Sequence, residues 1–275
     1  MKEISGIKLA QGLTPHEIRK NGWTEDEPIE GIFQEGEKHA AVIFGAKPLD
    51  GEIEFFNKNL PCGDDVFGVF QAEHKVEDNP WAAAIAKGVS SNRPFPPIRE
   101  LGDLPQATDH LSIAIDQAHS VIYQHNQRTK ITQSIASAIL LRTVRGVQDG
   151  ENHRNFIVSV NLGKGKAFRV PKDYINEKIE PLFVEHVDLD GELLVPVIGQ
   201  DGVDIAPHPP IEADEGDRVV LLSGPVKPDL YGDTTVYDEI REALATNDNN
   251  LEVATSLAEK RKKIGEACLA AVIEI

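Results

Sequence analysis

The chain has 275 residues, 40% of them apolar and 27% charged, a globular balance that suits one large domain or two small ones. Its 28 Lys and Arg stand against 45 Asp and Glu, a formal net charge of −17. That excludes a generic nucleic-acid binder, because phosphate backbones are held by clustered cations, and it disfavours anionic membrane surfaces. Cys62 and Cys268 are too few for a disulfide framework or a thiolate metal cage, and Met1-Lys2-Glu3-Ile4 opens no apolar leader, so the expected compartment is the cytoplasm.

Residues 1–37 are polar and rich in turn residues such as Asn21-Gly22 and Glu35-Gly36-Glu37, and read as an irregular lead-in. Residues 38–275 read as a single domain. Short apolar or β-branched runs at 40–44, 52–56 and 65–70, separated by Gly, Pro and Asp, predict strands. A helix is expected over 78–88, where Asp78 caps, Pro80 sits in the first turn, and Lys87 and Gly88 mark the stop. Leu111, Ile115, Ala118 and Ile122 recur at helical spacing and predict a long helix over 109–127. Runs at 134–144, 155–161, 166–170, 193–198 and 218–223 predict further strands, the first equally compatible with a helix. Helices follow over 233–244 and 252–263, then a closing strand over 267–275. Strands in runs with helices grouped between them point to an α+β layered sandwich, not to alternating βαβ units.

Each chemical candidate has a plainer alternative. His74, His186 and His208 are residue types that bind metals, but their spacing matches no histidine ligand motif. Gly163-Lys164-Gly165-Lys166 lacks the spacing of a phosphate loop and reads as a tight hairpin turn. Ser223 has no identifiable base, and Cys268 lies in an apolar strand pattern where cysteine acts as a small core residue. Asp64, Asp65, Glu73, Glu77 and Asp78 flank the strand ending at Phe70, and an ion site there needs several carboxylates to converge.

In order and spacing, several segments together resemble the PPM-type metal-dependent protein phosphatases, the protein phosphatase 2C-like family. Phe67-Gly68-Val69-Phe70-Gln71-Ala72-Glu73-His74 is similar to the family strand ending in Phe-x-Val-x-Asp-Gly-x-Gly-Gly. Ser134-Ile135-Ala136-Ser137-Ala138 falls at its Gly-Ser-Thr-Ala strand, and Asn161-Leu162-Gly163-Lys164-Gly165-Lys166-Ala167 resembles its Asn-x-Gly-Asp-Ser-Arg-Ala hairpin. Glu185-His186 is similar to the following Asp-His, and Glu215-Gly216-Asp217-Arg218 with the strand to Ser223 is close to the Pro-Gly-Asp-Arg strand leading into Ser-Asp-Gly. Residues 266–275 occupy the place of the terminal Asp-Asn-x-Thr strand. The resemblance implies a four-layer αββα sandwich, two antiparallel sheets flanked by helix pairs.

It also implies a metal centre, and there the sequence departs from the family. Members hold two divalent cations through the Asp of the first Asp-Gly, the Asp of Ser-Asp-Gly and the Asp of Asp-Asn. Those positions read Gln71-Ala72, Gly224 and Glu266 here, with Asp50 loosely at an early family Asp. Hard divalent ions prefer charged oxygens, and without a binuclear centre nothing lowers the pKa of an attacking water. The expectation is therefore a catalytically inactive pseudophosphatase without cofactor, a regulatory module for an unidentified protein partner that binds neither nucleic acid nor membrane. The alternative is a divergent phosphohydrolase using Mn or Mg at a reduced site held by Asp50, Glu266 and one of Asp64 or Asp65.

Overall fold

The computed structural model describes residues 29–35, 38–44, 52–59, 64–72, 95–129, 136–163, 165–183, 186–187, 193–194, 197–203, 205, 208–222, 234–247, 249–263 and 269–275. The expected helix over 78–88 lies outside them. Chain order is β1 (Ile29–Glu35), β2 (Lys38–Phe44), β3 (Glu52–Asn59), β4 (Asp65–Ala72), α1 (Leu104–Thr129), β5 (Ala136–Asp149), β6 (Asn152–Leu162) and β7 (Lys166–Val170). There follow β8 (Glu180–Pro181), β9 (His186–Val187), β10 (Leu193–Leu194), β11 (Ile211–Ala213), β12 (Arg218–Leu222), α2 (Thr234–Thr246), α3 (Asn250–Lys263) and β13 (Leu269–Glu274).

Strand pairing gives two large antiparallel sheets, one ordered β1-β2-β13-β12-β7-β8 and the other β11-β6-β5-β4-β3, with a small β10-β9 ladder beside them. Side-chain alternation then assigns the layers. Phe67, Val69, Ile139, Leu141 and Ile157 of the second sheet meet Ala167, Val219, Leu221, Ala271 and Ile273 of the first in a core between the sheets. On the reverse faces, Val66, Leu140, Val158 and Val160 pack under Leu104, Leu111, Ile115 and Ile122 of α1, while Phe168, Val220 and Val272 pack under Ile240, Leu244, Val253 and Leu257 of α2 and α3. The architecture is a four-layer αββα sandwich. One flank carries the α2–α3 pair, and the other carries α1 among the described residues.

Because both faces of the central strands are covered, their sequences read as unbroken apolar runs. That is why 134–144 was equally compatible with a helix; it lies in β5, paired with β4 and β6. Other expectations shift for local reasons. Pro105 opens α1 earlier than expected, and Ala107 and Thr108 extend its buried face one turn upstream of Asp109. In α3, the Asn249 side chain accepts from the Glu252 amide at 3.0 Å, an N-cap the apolar pattern did not mark. The segment read as an irregular lead-in contains β1, which pairs with β2 across Glu35↔Lys38. Of the strand expected over 193–198, Leu193–Leu194 form β10, 195–196 lie outside the described residues, and 197–198 lie in no strand longer than an isolated bridge.

Candidate functional site

Register gathers at one end of the sandwich the strand ends that adjoin the expected site positions. β4 finishes there, with Gln71 opposite Ser137 and Ala72 opposite both Ala136 and Glu52. β6 ends there, with Leu162 opposite Ala138, and β7 begins there, with Lys166 opposite Leu222. The end of β12 and the start of β13 complete the set, since Leu222 lies opposite Ala270 and Leu269 opposite Phe44. Gln71 and Ala72 are thus the closing residues of β4, which lies between β3 and β5. Asp50, Gly224 and Glu266 lie outside the described residues, as do His74, Glu77, Asp78, Cys62, Cys268 and Ser223.

The corner beside Gln71 is built by close approach. Gly163-Lys164-Gly165-Lys166 is not the expected hairpin turn within one sheet; it carries the chain from β6 in one sheet to β7 in the other. Gly163 has φ +111, and a Cβ there would lie 2.1 Å from Ser137 Oγ and 2.8 Å from Ser137 Cα. A Cβ on Gly165 would meet Ile139 Cδ1 at 2.5 Å. Gly163 is thus required by the approach of the crossover to β5, whereas at Gly165 the Ile139 side chain would have to move. Asn161 donates from Nδ2 to the Gly165 carbonyl at 3.3 Å, and its Oδ1 is buried without a hydrogen-bond partner. Beside Gln71 this corner brings together the Ser137 hydroxyl, the Asn161 amide and the crossover backbone, with Lys166 opening β7.

The carboxylates offered as alternative ligands belong elsewhere. At about 3.3 Å per residue, Asp65 stands roughly 23 Å along β4 from Ala72, so Asp64 and Asp65 lie at the other end of the strand from Gln71-Ala72. Both are committed to arginines. Arg142, fully buried, donates Nε and Nη2 to Asp64 Oδ2 at 3.1 and 2.6 Å, and Nη2 also reaches the Pro96 carbonyl at 2.6 Å. Asp64 Oδ1 accepts the Arg145 amide at 3.0 Å, and Asp65 pairs with the Arg145 guanidinium at 3.5 Å. Asp64 and Asp65 are thus held by arginines, while Glu73, Glu77 and Asp78 of the same acidic group lie outside the described residues.

Asp217 adjoins Arg218 in sequence, but its partner is Arg169 on the neighbouring β7. Arg169 donates Nε to Asp217 Oδ2 at 2.8 Å, and the same carboxylate accepts the amides of Asp214 and Lys172 at 2.9 and 3.0 Å. Burial alone lowers the proton affinity of the Arg169 guanidinium, but the hydrogen bond and charge of Asp217, followed by those of Glu180, raise it above its ordinary value. This network ties β12 to β7 at the end of the sandwich opposite Gln71, which makes Gly216-Asp217-Arg218 a structural element. His208 lies against the Phe183 ring, centroids 5.0 Å apart, and its amide donates to Ser159 O at 3.4 Å. Among the described residues no group of three or more His, Cys, Asp or Glu could hold a metal ion.

No protein-family model matches the sequence, and no curated protein does. Solved structures do. A serine/threonine phosphatase of S. agalactiae superposes with a TM-score of 0.59 at 12% identity, covering 90% of this chain and 100% of that one. The fold is that of the PPM-type phosphatases. PppA, titled a key regulatory component of T6SS in Pseudomonas aeruginosa, superposes with a TM-score of 0.55 at 11% identity, covering 82% of this chain and 97% of its own. The catalytic domain of the serine threonine protein phosphatase PstP, solved in complex with two manganese ions, gives a TM-score of 0.54 at 12% identity, with 90% and 99% covered.

The PstP neighbour corrects one expectation. A domain without cofactor does not follow from this PPM-like fold, because the same fold is solved there with two manganese ions in place. The residues that would bear on a metal in this chain, Asp50, Gly224 and Glu266, lie outside the described set. No helix among the described residues is long and apolar enough to cross a membrane.

Proposed function

We propose that this PPM-like domain is catalytically inactive and acts as a cytoplasmic regulatory module that binds another protein. The observation that carries the reading is the end of β4. There Gln71-Ala72 closes a strand flanked on both sides, beside the crossover corner, where the family pattern has Asp-Gly. An amide oxygen is neutral and a methyl group has no lone pair, so Gln71 and Ala72 offer no anionic oxygen to a hard divalent ion where the family pattern has Asp-Gly. The companion positions Gly224 and Glu266 depart from the pattern in the same direction, one losing the side chain and the other lengthening the carboxylate. PppA, with the same fold, is described as a regulatory component, which is the kind of role proposed here.

A second reading has one observation in its favour. PstP shows that the fold accommodates two manganese ions, and a divergent Mn- or Mg-dependent phosphohydrolase would keep a reduced site around Asp50 and Glu266.

One pair of measurements separates them. Hydrolysis of an aryl phosphate is followed over a wide range of Mn²⁺ and Mg²⁺ concentrations, and calorimetric titration with Mn²⁺ in chelator-treated buffer reads ion binding independently of turnover. The regulatory reading expects no metal-dependent hydrolysis. Turnover that requires Mn²⁺ and disappears in Glu266→Ala would replace it with the second.

A further inference from the structure

Between β8 and β11 the chain leaves one sheet and returns to the edge of the other. On the way, the turn at 197–203 lies on the outer layer, with Ile198 fully buried in the α1 core and Val203 packed against it. Gly199, at φ +92, presents both sides of its backbone to α1. Its amide donates to His119 Nδ1 at 3.2 Å, and its carbonyl accepts from Asn126 Nδ2 at 3.1 Å. Tyr123, between them on the same helical face, donates its hydroxyl to Asp201 at 3.2 Å and stacks on the His119 ring at a centroid distance of 5.8 Å. Positions 119, 123 and 126 follow the helical spacing that stacks side chains on one face.

The bond to His119 has a chemical requirement the other two lack. A backbone N–H can only donate, so Nδ1 must carry a lone pair and the ring proton must sit on Nε2. An imidazolium has two N–H donors and no acceptor. Protonation therefore turns this contact from a hydrogen bond into two opposed donors and leaves a buried amide unsatisfied. The titratable groups around the ring are Tyr123 stacked on it, Asp201 joined to Tyr123, and Asp116 one turn earlier on α1.

We propose that His119 is an acid-sensitive latch: the neutral ring holds the 197–203 turn on α1 through the Gly199 amide, and protonation releases that peptide from the helix. The latch lies on the C-terminal half of α1, so release loosens the hold of that helix on the connection between β8 and β11. The proposal does not rest on the regulatory reading above.

The test is a pH titration of the full ¹⁵N-labelled chain by NMR, following the Gly199 amide and the His119 ring from pH 8 to pH 5. The Gly199 amide is expected to shift with the midpoint of His119. In His119→Gln, whose side-chain oxygen accepts at any pH in this range, that response is expected to vanish. A Gly199 amide that stays unchanged over the range, whether or not His119 takes up a proton, would overturn the latch, as would an equal response in His119→Gln. Should that variant not fold, the two wild-type midpoints decide: coincidence supports the latch and separation refutes it.

Discussion

Removing the Asp64 carboxylate tests whether this acidic position belongs to the fold or to an ion site. Arg142 has no solvent exposure and Asp64 has 2%, and the closest contact between them is 2.6 Å. Without Asp64 the guanidinium keeps the Pro96 carbonyl and the face of the Phe95 ring at 5.9 Å, and it already has one buried nitrogen, Nη1, without a partner. Breaking a buried pair from one side costs about 3–5 kcal/mol, because the remaining charge stays desolvated. Asp64→Ala is expected at the upper end and Asp64→Asn, which retains an amide oxygen, at the lower. At roughly 2–4 °C per kcal/mol for large domains, the midpoint of thermal unfolding falls by about 6–20 °C. Replacing both partners, Asp64→Leu with Arg142→Met, is expected to recover most of the loss, since no orphaned charge remains. Urea unfolding followed by circular dichroism measures all three variants. A loss below about 1 kcal/mol in Asp64→Ala, accompanied by loss of calorimetric Mn²⁺ binding, would refute the structural assignment and return Asp64 to the list of ligands.

Gly163→Ala is expected to destabilise by more than about 2 kcal/mol in the same assay, because a Cβ there would overlap Ser137 and φ +111 disfavours an L residue. Ser137→Ala does not rescue it, since Ser137 Cβ and Cα remain at 2.3 and 2.8 Å; full rescue would show that the hydroxyl alone was the obstacle. For Asp217, a double-mutant cycle is expected to give a coupling of about 1–3 kcal/mol with Arg169 and near zero with Arg218, and the reverse would refute the Arg169 pairing. The proton affinity of Arg169 is raised in the folded chain, so its stabilising contribution is complete below the ordinary arginine value and lost only as pH climbs through the raised one. Unfolding measured from pH 6 to pH 10 should therefore show no step from this group.

Most elements were legible because their apolar residues follow a period. α1 was found from Leu111, Ile115 and Ile122, and the edges of β7 from the apolar run at 166–170. β5 was ambiguous because Ala138 and Leu140 face α1 while Ile139 and Leu141 face the other sheet, so both faces are apolar and alternation carries no signal. Motif order brought out the PPM-like architecture where no residue pattern alone could, and similarity of fold at 12% identity agrees with it.

The charged partners were a different matter. Asp217 adjoins Arg218 in sequence but meets Arg169, because antiparallel register places β7 alongside β12; Asp64 meets Arg142 from 78 residues away. His119 gave no signal either, since what marks it is an amide on a turn 80 residues further along the chain. Composition, period and motif order determine the elements and the layers, because those follow from which side chains leave water. Which carboxylate neutralises which guanidinium, why Gly163 has no side chain and what His119 accepts were decided only by tertiary structure, because each depends on a distance between segments that no local pattern encodes.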